Sequence, residues 1–151
     1  MQQQPPDRRL EGSSEPAATS GHHDHNLSAP MLRFDLRSET EQLRQQESYR
    51  RGSPTGRTLV KEPDLRIVLM ALKAGARQEE HRASGPISVH ALQGVLRLRL
   101  QESSVELTAG QVLMLEPGIS HDVGAVEDAV FLLTIGRTTY QDVSDRHESR
   151  D

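Results

Sequence analysis

From Thr58 onward the chain reads as a series of short apolar runs divided by turns. TLVKE, LRIVLMALK, QEEHR, ISVHAL, VLRLRLQ, SVELT, QVLML, SHDVGAV and AVFLLTI follow one another, with PD, KAGA, SGP, QG, TAG and EPG punctuating them. In VLRLRLQ the residues Leu96, Leu98 and Leu100 alternate with Arg97, Arg99 and Gln101, the period-two pattern of a strand with one buried face. The Arg97/Arg99 stripe reads as the solvated side of that strand. LRIVLMALK, VLML and AVFLLTI are apolar throughout, which predicts strands covered on both faces. About eight short strands with regular turns, and no helical period between them, predict an all-β sandwich or barrel.

The flanks differ in texture. Residues 1–30 are rich in Gln, Pro, Ser, Gly and His and hold almost no large apolar side chain, so they are expected to form a disordered polar tail. Within them GHHDHN, with His22, His23, Asp24 and His25, is a tract that could hold a metal loosely, although nothing nearby would fix the ligands. Residues 31–57 are expected to pack on the outside of the strand-rich unit or on a partner subunit. There MLRFDL is a candidate short strand. Ser38, with Glu41 three residues later, forms a capping-box pattern that predicts a short surface helix anchored by Leu43. The strand-rich unit is expected over 58–136, and 137–151 as a polar C-terminal tail.

Composition narrows the function. Net charge is −4 and the arginines form no basic run, which argues against nucleic acid. Phe34, Tyr49, Phe131 and Tyr140 are the only aromatic residues, too few for a base-stacking platform. No cysteine is present, so disulfides, thiolate nucleophiles and cysteine-type zinc sites are excluded. No run approaches the ~18 apolar residues of a membrane span, and MQQQPPDRRLEG carries no apolar leader segment. A cytoplasmic protein is expected. The serines Ser84, Ser88, Ser103 and Ser104 lack a nucleophile-elbow context, and no phosphate-cradling glycine loop occurs.

The remaining chemistry lies in histidines. His81, His90 and His121 each sit in strand-like sequence near a Gly-Pro or Pro-Gly turn. Around them the chain resembles the cupin superfamily, small jelly-roll barrels marked by two motifs. Five residues separate Gly75 from His81, and Gly94 closes the first motif; Gly110, Gly118 and His121 carry the second. The likeness spans roughly Thr58 to Ile135. The four glycines also fit turn positions where a side chain would be awkward. The resemblance implies a jelly-roll β-barrel. In metal-binding cupins, it further implies two histidines and a glutamate from the first motif and one histidine from the second. Here Ala83 stands at the second histidine position, Ile87 at the glutamate position and Ala125 at the asparagine position. Glu116 occupies the proline position, with the proline displaced to Pro117. Only His81 and His121 remain of the ligand set. The sequence also resembles short single-domain cupins of unassigned function that read H-x-A-x-G-P-I in the first motif.

Two imidazoles need a third donor to make a firm metal site. If position 87 faces inward, so do Val89 and Ala91, and His90 faces outward unless a bulge after SGP reverses the parity. Glu79 shares strand parity with His81 and is a second candidate donor. Asp122 should point away from His121, and Glu116 could orient His121 from behind. The expected cavity is lined by His81, His121, Val89, Leu98 and Met114. The expectation is a cupin-domain protein binding a small ligand, or weakly one divalent transition metal, without established catalysis. The alternative is a metal-dependent dioxygenase or isomerase acting on a small organic substrate through His81 and His121. A homodimer is expected, with outward apolar positions such as Leu92 as contacts, and no nucleic-acid or membrane partner.

Overall fold

A computed structural model describes residues 30–137. Of the expected tails, 1–30 and 137–151, all but residues 30 and 137 lie outside the described residues, and so does the GHHDHN tract. Helix α1 (Leu36–Gln45) is followed by a single helical turn, α2 (Glu47–Arg50). The start of α1 corrects the sequence reading. Asp35 is the N-cap, its carboxylate accepting from the main-chain N–H of Arg37 at 3.0 Å and of Ser38 at 3.3 Å. With those first-turn donors already satisfied, Ser38 lies inside the helix and the Ser38/Glu41 box is not used. MLRFDL forms no strand: Met31–Asp35 lead into the cap, and Met31 and Leu32 are exposed.

Nine strands follow: β1 (Thr55–Lys61), β2 (Leu65–Leu72), β3 (Arg77–His81), β4 (Ile87–Gln93), β5 (Val95–Arg99), β6 (Ser104–Thr108), β7 (Val112–Leu115), β8 (His121–Ala125) and β9 (Ala129–Gly136). They form two antiparallel sheets, ordered β1-β2-β9-β4-β7 and β3-β8-β5-β6. The sheets pack face to face as a jelly roll, without continuous strand pairing around a closed barrel. Val68, Met70, Leu72, Ile87, Val89, Leu96, Leu98, Val123 and Phe131 form the core between them. Alternate residues of the larger sheet face out. There Leu69, Ala71 and Val130 join Leu43 and Tyr49 in a second apolar cluster that seats the helices. Leu92, on the same outer face, is partly buried and packs against this cluster.

The predominantly apolar β2 and β9 are interior strands, and Val68–Leu72 and Ala129–Phe131 are buried on both faces of the sheet. VLML is the exception. It is β7, an edge strand, with Leu115 in the core and Met114 64% exposed. An apolar run signals burial on both faces only when the strand is interior, and a four-residue run carries no information about its place in the sheet. The motif glycines Gly75, Gly94, Gly110 and Gly118 all have positive φ. At Gly94 a Cβ would also meet the carbonyl oxygen of Asp128 at 2.0 Å, so both conformation and space require glycine there. No helix of the described residues is long and apolar enough to cross a membrane.

Candidate functional site: a histidine pair at one end of the smaller sheet

β3 and β8 are neighbours, and their register contains an irregularity that builds the site. Gln78 lies opposite Val123, whereas His81 lies opposite His121. Three steps along β3 therefore match two along β8, which is a β-bulge at Glu79–Glu80. Val123 belongs to the core, so His121, two residues away on the same strand, faces the same way. His121 is only 2% exposed. The bulge turns His81 onto that inner face as well; in an unbroken strand Gln78 and His81 would face opposite ways.

The two rings stand with centroids 4.4 Å apart and planes inclined by 60°. His81 Nδ1 lies 3.0 Å from the carbonyl oxygen of Glu79, and His121 Nδ1 lies 2.9 Å from that of Ile119. A carbonyl oxygen only accepts, so each Nδ1 carries the proton. In a neutral imidazole the other nitrogen, Nε2, then holds an unshared pair. Two such Nε2 atoms cannot donate to each other, so the neutral pair is not a histidine–histidine hydrogen bond. Main-chain carbonyls that fix the Nδ1–H form are also what orients metal-ligating histidines.

Neither expected third donor reaches the pair. The same bulge breaks the parity that put Glu79 beside His81: the Glu79 side chain is exposed and only its carbonyl is used. His90 pairs in register with Leu132 and Val112, between the core residues Val89 and Ala91, and so lies on the outer face of the larger sheet. The positions where the cupin motif would supply further ligands are apolar, with Ile87 buried in the core and Ala83 packed against it. Among the described residues no three or more His, Asp or Glu side chains are arranged to hold a metal ion. The donor set thus does not fit a three- or four-residue metal centre, though two imidazoles of fixed tautomer suit a loosely held ion. Val89 and Leu98 lie in the core, Leu98 in register with Val123. Met114 does not line the cavity: it pairs with Ser88 on the outer face, and its neighbours Leu113 and Leu115 turn inward instead.

Two features were not visible in the sequence. Ser120 donates to the Glu80 carboxylate, which latches the loop before β8 to the bulge of β3. Asp122, on the opposite face from His121 as expected, is nevertheless only 8% exposed and lies 3.6 Å from the Arg77 guanidinium. The loops following β3, β5 and β7 border an open cleft of about 410 Å³. Arg82, Leu100, Gln101, Glu102 and the Gly118–Ser120 segment line it.

No family model matches the sequence, and no curated protein does. Solved structures do match. A conserved protein of unknown function from Streptococcus pyogenes superposes with a TM-score of 0.58 at 23% identity, over 76% of this chain and 94% of that one. A cupin superfamily protein from Desulfitobacterium hafniense gives 0.55 at 18%, over 56% and 78%. A cupin-2 domain containing protein from Shewanella frigidimarina gives 0.56 at 15%, over 69% and 94%. The chain has the cupin fold.

Proposed function

We propose that this is a ligand-binding cupin without established catalysis, in which His81 and His121 present two Nε2 acceptors to a small molecule or to a weakly held divalent cation. The observation that carries this reading is the pair of Nδ1–H bonds to the carbonyls of Glu79 and Ile119. With both Nδ1 positions committed, neutral rings can only accept. The complementary ligand is therefore a hydrogen-bond donor, such as a hydroxyl group, or a Lewis-acidic ion. A metal-dependent dioxygenase or isomerase would need a further inward donor, and the two side chains that might have supplied one, His90 and Glu79, are placed elsewhere.

The test uses the full chain without a purification tag and with His22, His23 and His25 replaced by alanine, so that only the fold contributes. Zn²⁺ is titrated calorimetrically into this protein and into the same protein carrying His81→Ala and His121→Ala. Weak binding near one equivalent that disappears in the double variant supports the reading. Binding that survives the double variant, or no binding in either protein, contradicts its metal form. In the latter case the donor-ligand form is tested by the ring tautomers: Nδ1–H at both His81 and His121 supports it, and an Nε2–H tautomer at either ring contradicts it.

A further inference from the structure

We infer that the chain pairs with a second copy of itself by exchanging N-terminal arms: residues 31–34 of each copy add as a strand to the free edge of β7 in the other and cover Val112 and Met114 there. This surface is separate from the histidine pair and does not rest on the reading of His81 and His121.

The two sheets offer four edge strands, β1, β7, β3 and β6. An open edge is a template for another strand, and charged side chains or a bulge are the usual means of blocking it. β1 carries Arg57 and Lys61 and a register shift after Thr58; β3 carries Arg77, Glu79 and Glu80 and its bulge; β6 carries Glu106. β7, Val-Leu-Met-Leu, has neither charge nor bulge. The Ala91 N–H donates to the Gln111 carbonyl, and Leu113 and Leu115 stand opposite Val89 and Ile87, so these alternate residues turn their main chain to β4. The N–H and C=O groups of Val112 and Met114 then point away from β4. Their side chains lie on the outer face, 52% and 64% exposed.

The segment ahead of α1 lacks what this edge lacks. Residues 30–35 form neither helix nor strand, and residues 31–34 make no main-chain hydrogen bond among the described residues. Met31 is 78% exposed, with Leu32 and Phe34 exposed beside it. The chain's own β7 cannot serve them. The first turns of α1 are held over β1 by Arg57, which binds Glu39 and Gln42, and β1 and β7 are opposite edges of a five-stranded sheet. Four strand spacings of ~4.8 Å put those edges about 19 Å apart. Six extended residues span ~20 Å at most, which leaves none to pair. A second copy removes that limit, and one two-fold axis satisfies both arms and both edges. The exposed apolar side chains of arm and edge amount to on the order of 500 Å² per copy, so the reciprocal exchange covers about 1,000 Å² before main chain is counted, where specific interfaces begin. Charge agrees as well: the arm carries exposed Arg33, and exposed Glu116 follows β7.

Sedimentation equilibrium of the full chain, from about 1 to 100 µM, measures the association. It is compared with an edge variant, Met114→Lys, and an arm variant, Met31→Ser with Leu32→Ser and Phe34→Ser. The expected result is a reversible monomer–dimer equilibrium whose dissociation constant rises about tenfold or more in each variant. An equimolar mixture of the two variants should associate more strongly than either alone, because the intact arm of one meets the intact edge of the other. Neither change touches the core, so both variants, diluted until monomeric, should unfold in urea as the parent monomer does. A parent that stays monomeric throughout overturns the proposal. So does a dimer indifferent to the arm variant, which would be edge-to-edge pairing or another face, or one indifferent to Met114→Lys. A mixture no stronger than its components would show that arm and edge do not meet.

Discussion

His81 and His121 lie directly opposite each other on β3 and β8, their ring centroids 4.4 Å apart, and each donates an Nδ1–H hydrogen bond to the main-chain carbonyl two residues before it. The symmetry of that arrangement leaves two like groups, both acceptors, side by side on an otherwise apolar inner face. The consequences below follow from it and from the strand parities around it.

Glu79 contributes through its main chain. Glu79→Gln is expected to leave Zn²⁺ affinity unchanged, because the side chain is exposed and the contact to His81 uses the carbonyl oxygen. Deleting Glu79 is expected to keep His81 opposite His121 and to retain binding, since the two steps then left from Gln78 to His81 match the two from Val123 to His121 without a bulge. Parallel calorimetric titrations check both; a large loss from Glu79→Gln would mean the carboxylate is a donor after all.

Inner and outer residues of the expected cavity should separate cleanly in stability. Leu98→Ala removes a fully buried side chain and is expected to cost about 2–5 kcal/mol. Met114→Lys, on the outer face of an edge strand, is expected to stay within about 0.5 kcal/mol. Urea unfolding of the two variants measures this, and equal losses would contradict the assigned parity of β7.

Two motif glycines should also differ. Both Gly94 and Gly110 have positive φ, but only at Gly94 would a Cβ meet backbone. Gly110→Ala is expected to cost about 1–2 kcal/mol from conformation alone. Gly94→Ala should cost more, because Asp128 must move aside. Thermal unfolding ranks them, and the reverse order would show that the turn at Gly94 yields easily.

The cap on α1 can be read the same way. Asp35→Ala is expected to lower stability by about 0.5–2 kcal/mol, while Ser38→Ala has a much smaller effect. A larger loss at Ser38 would restore the helix start expected from the sequence.

The fold was legible because it rests on local patterns: alternation in VLRLRLQ, central apolar runs such as LRIVLMALK, and glycines at turns that need positive φ. The convergence of His81 and His121 was legible from motif spacing. What was not legible depends on one extra residue. Parity counted along QEEHR puts Glu79 with His81, and nothing in those five letters marks where a bulge falls. The place of VLML at a sheet edge was equally hidden, since edge and centre differ in neighbours rather than in composition, and this misassigned Met114. His90 could be placed because no bulge intervenes between Ile87 and Ala91, so simple alternation held. The cleft at Arg82 draws on three loops distant in sequence and had no local signal.

The central claim is that both rings present Nε2 as an acceptor. A two-bond ¹H–¹⁵N correlation spectrum of the imidazoles, recorded on the ¹⁵N-labelled full chain with neutral rings and assigned by single histidine variants, tests it directly. The account predicts the Nδ1–H tautomer for both His81 and His121, with Zn²⁺ shifting the Nε2 signals of that pair and leaving His90 unchanged. An Nε2–H tautomer at either ring, or a response at His90 in place of the pair, would contradict it.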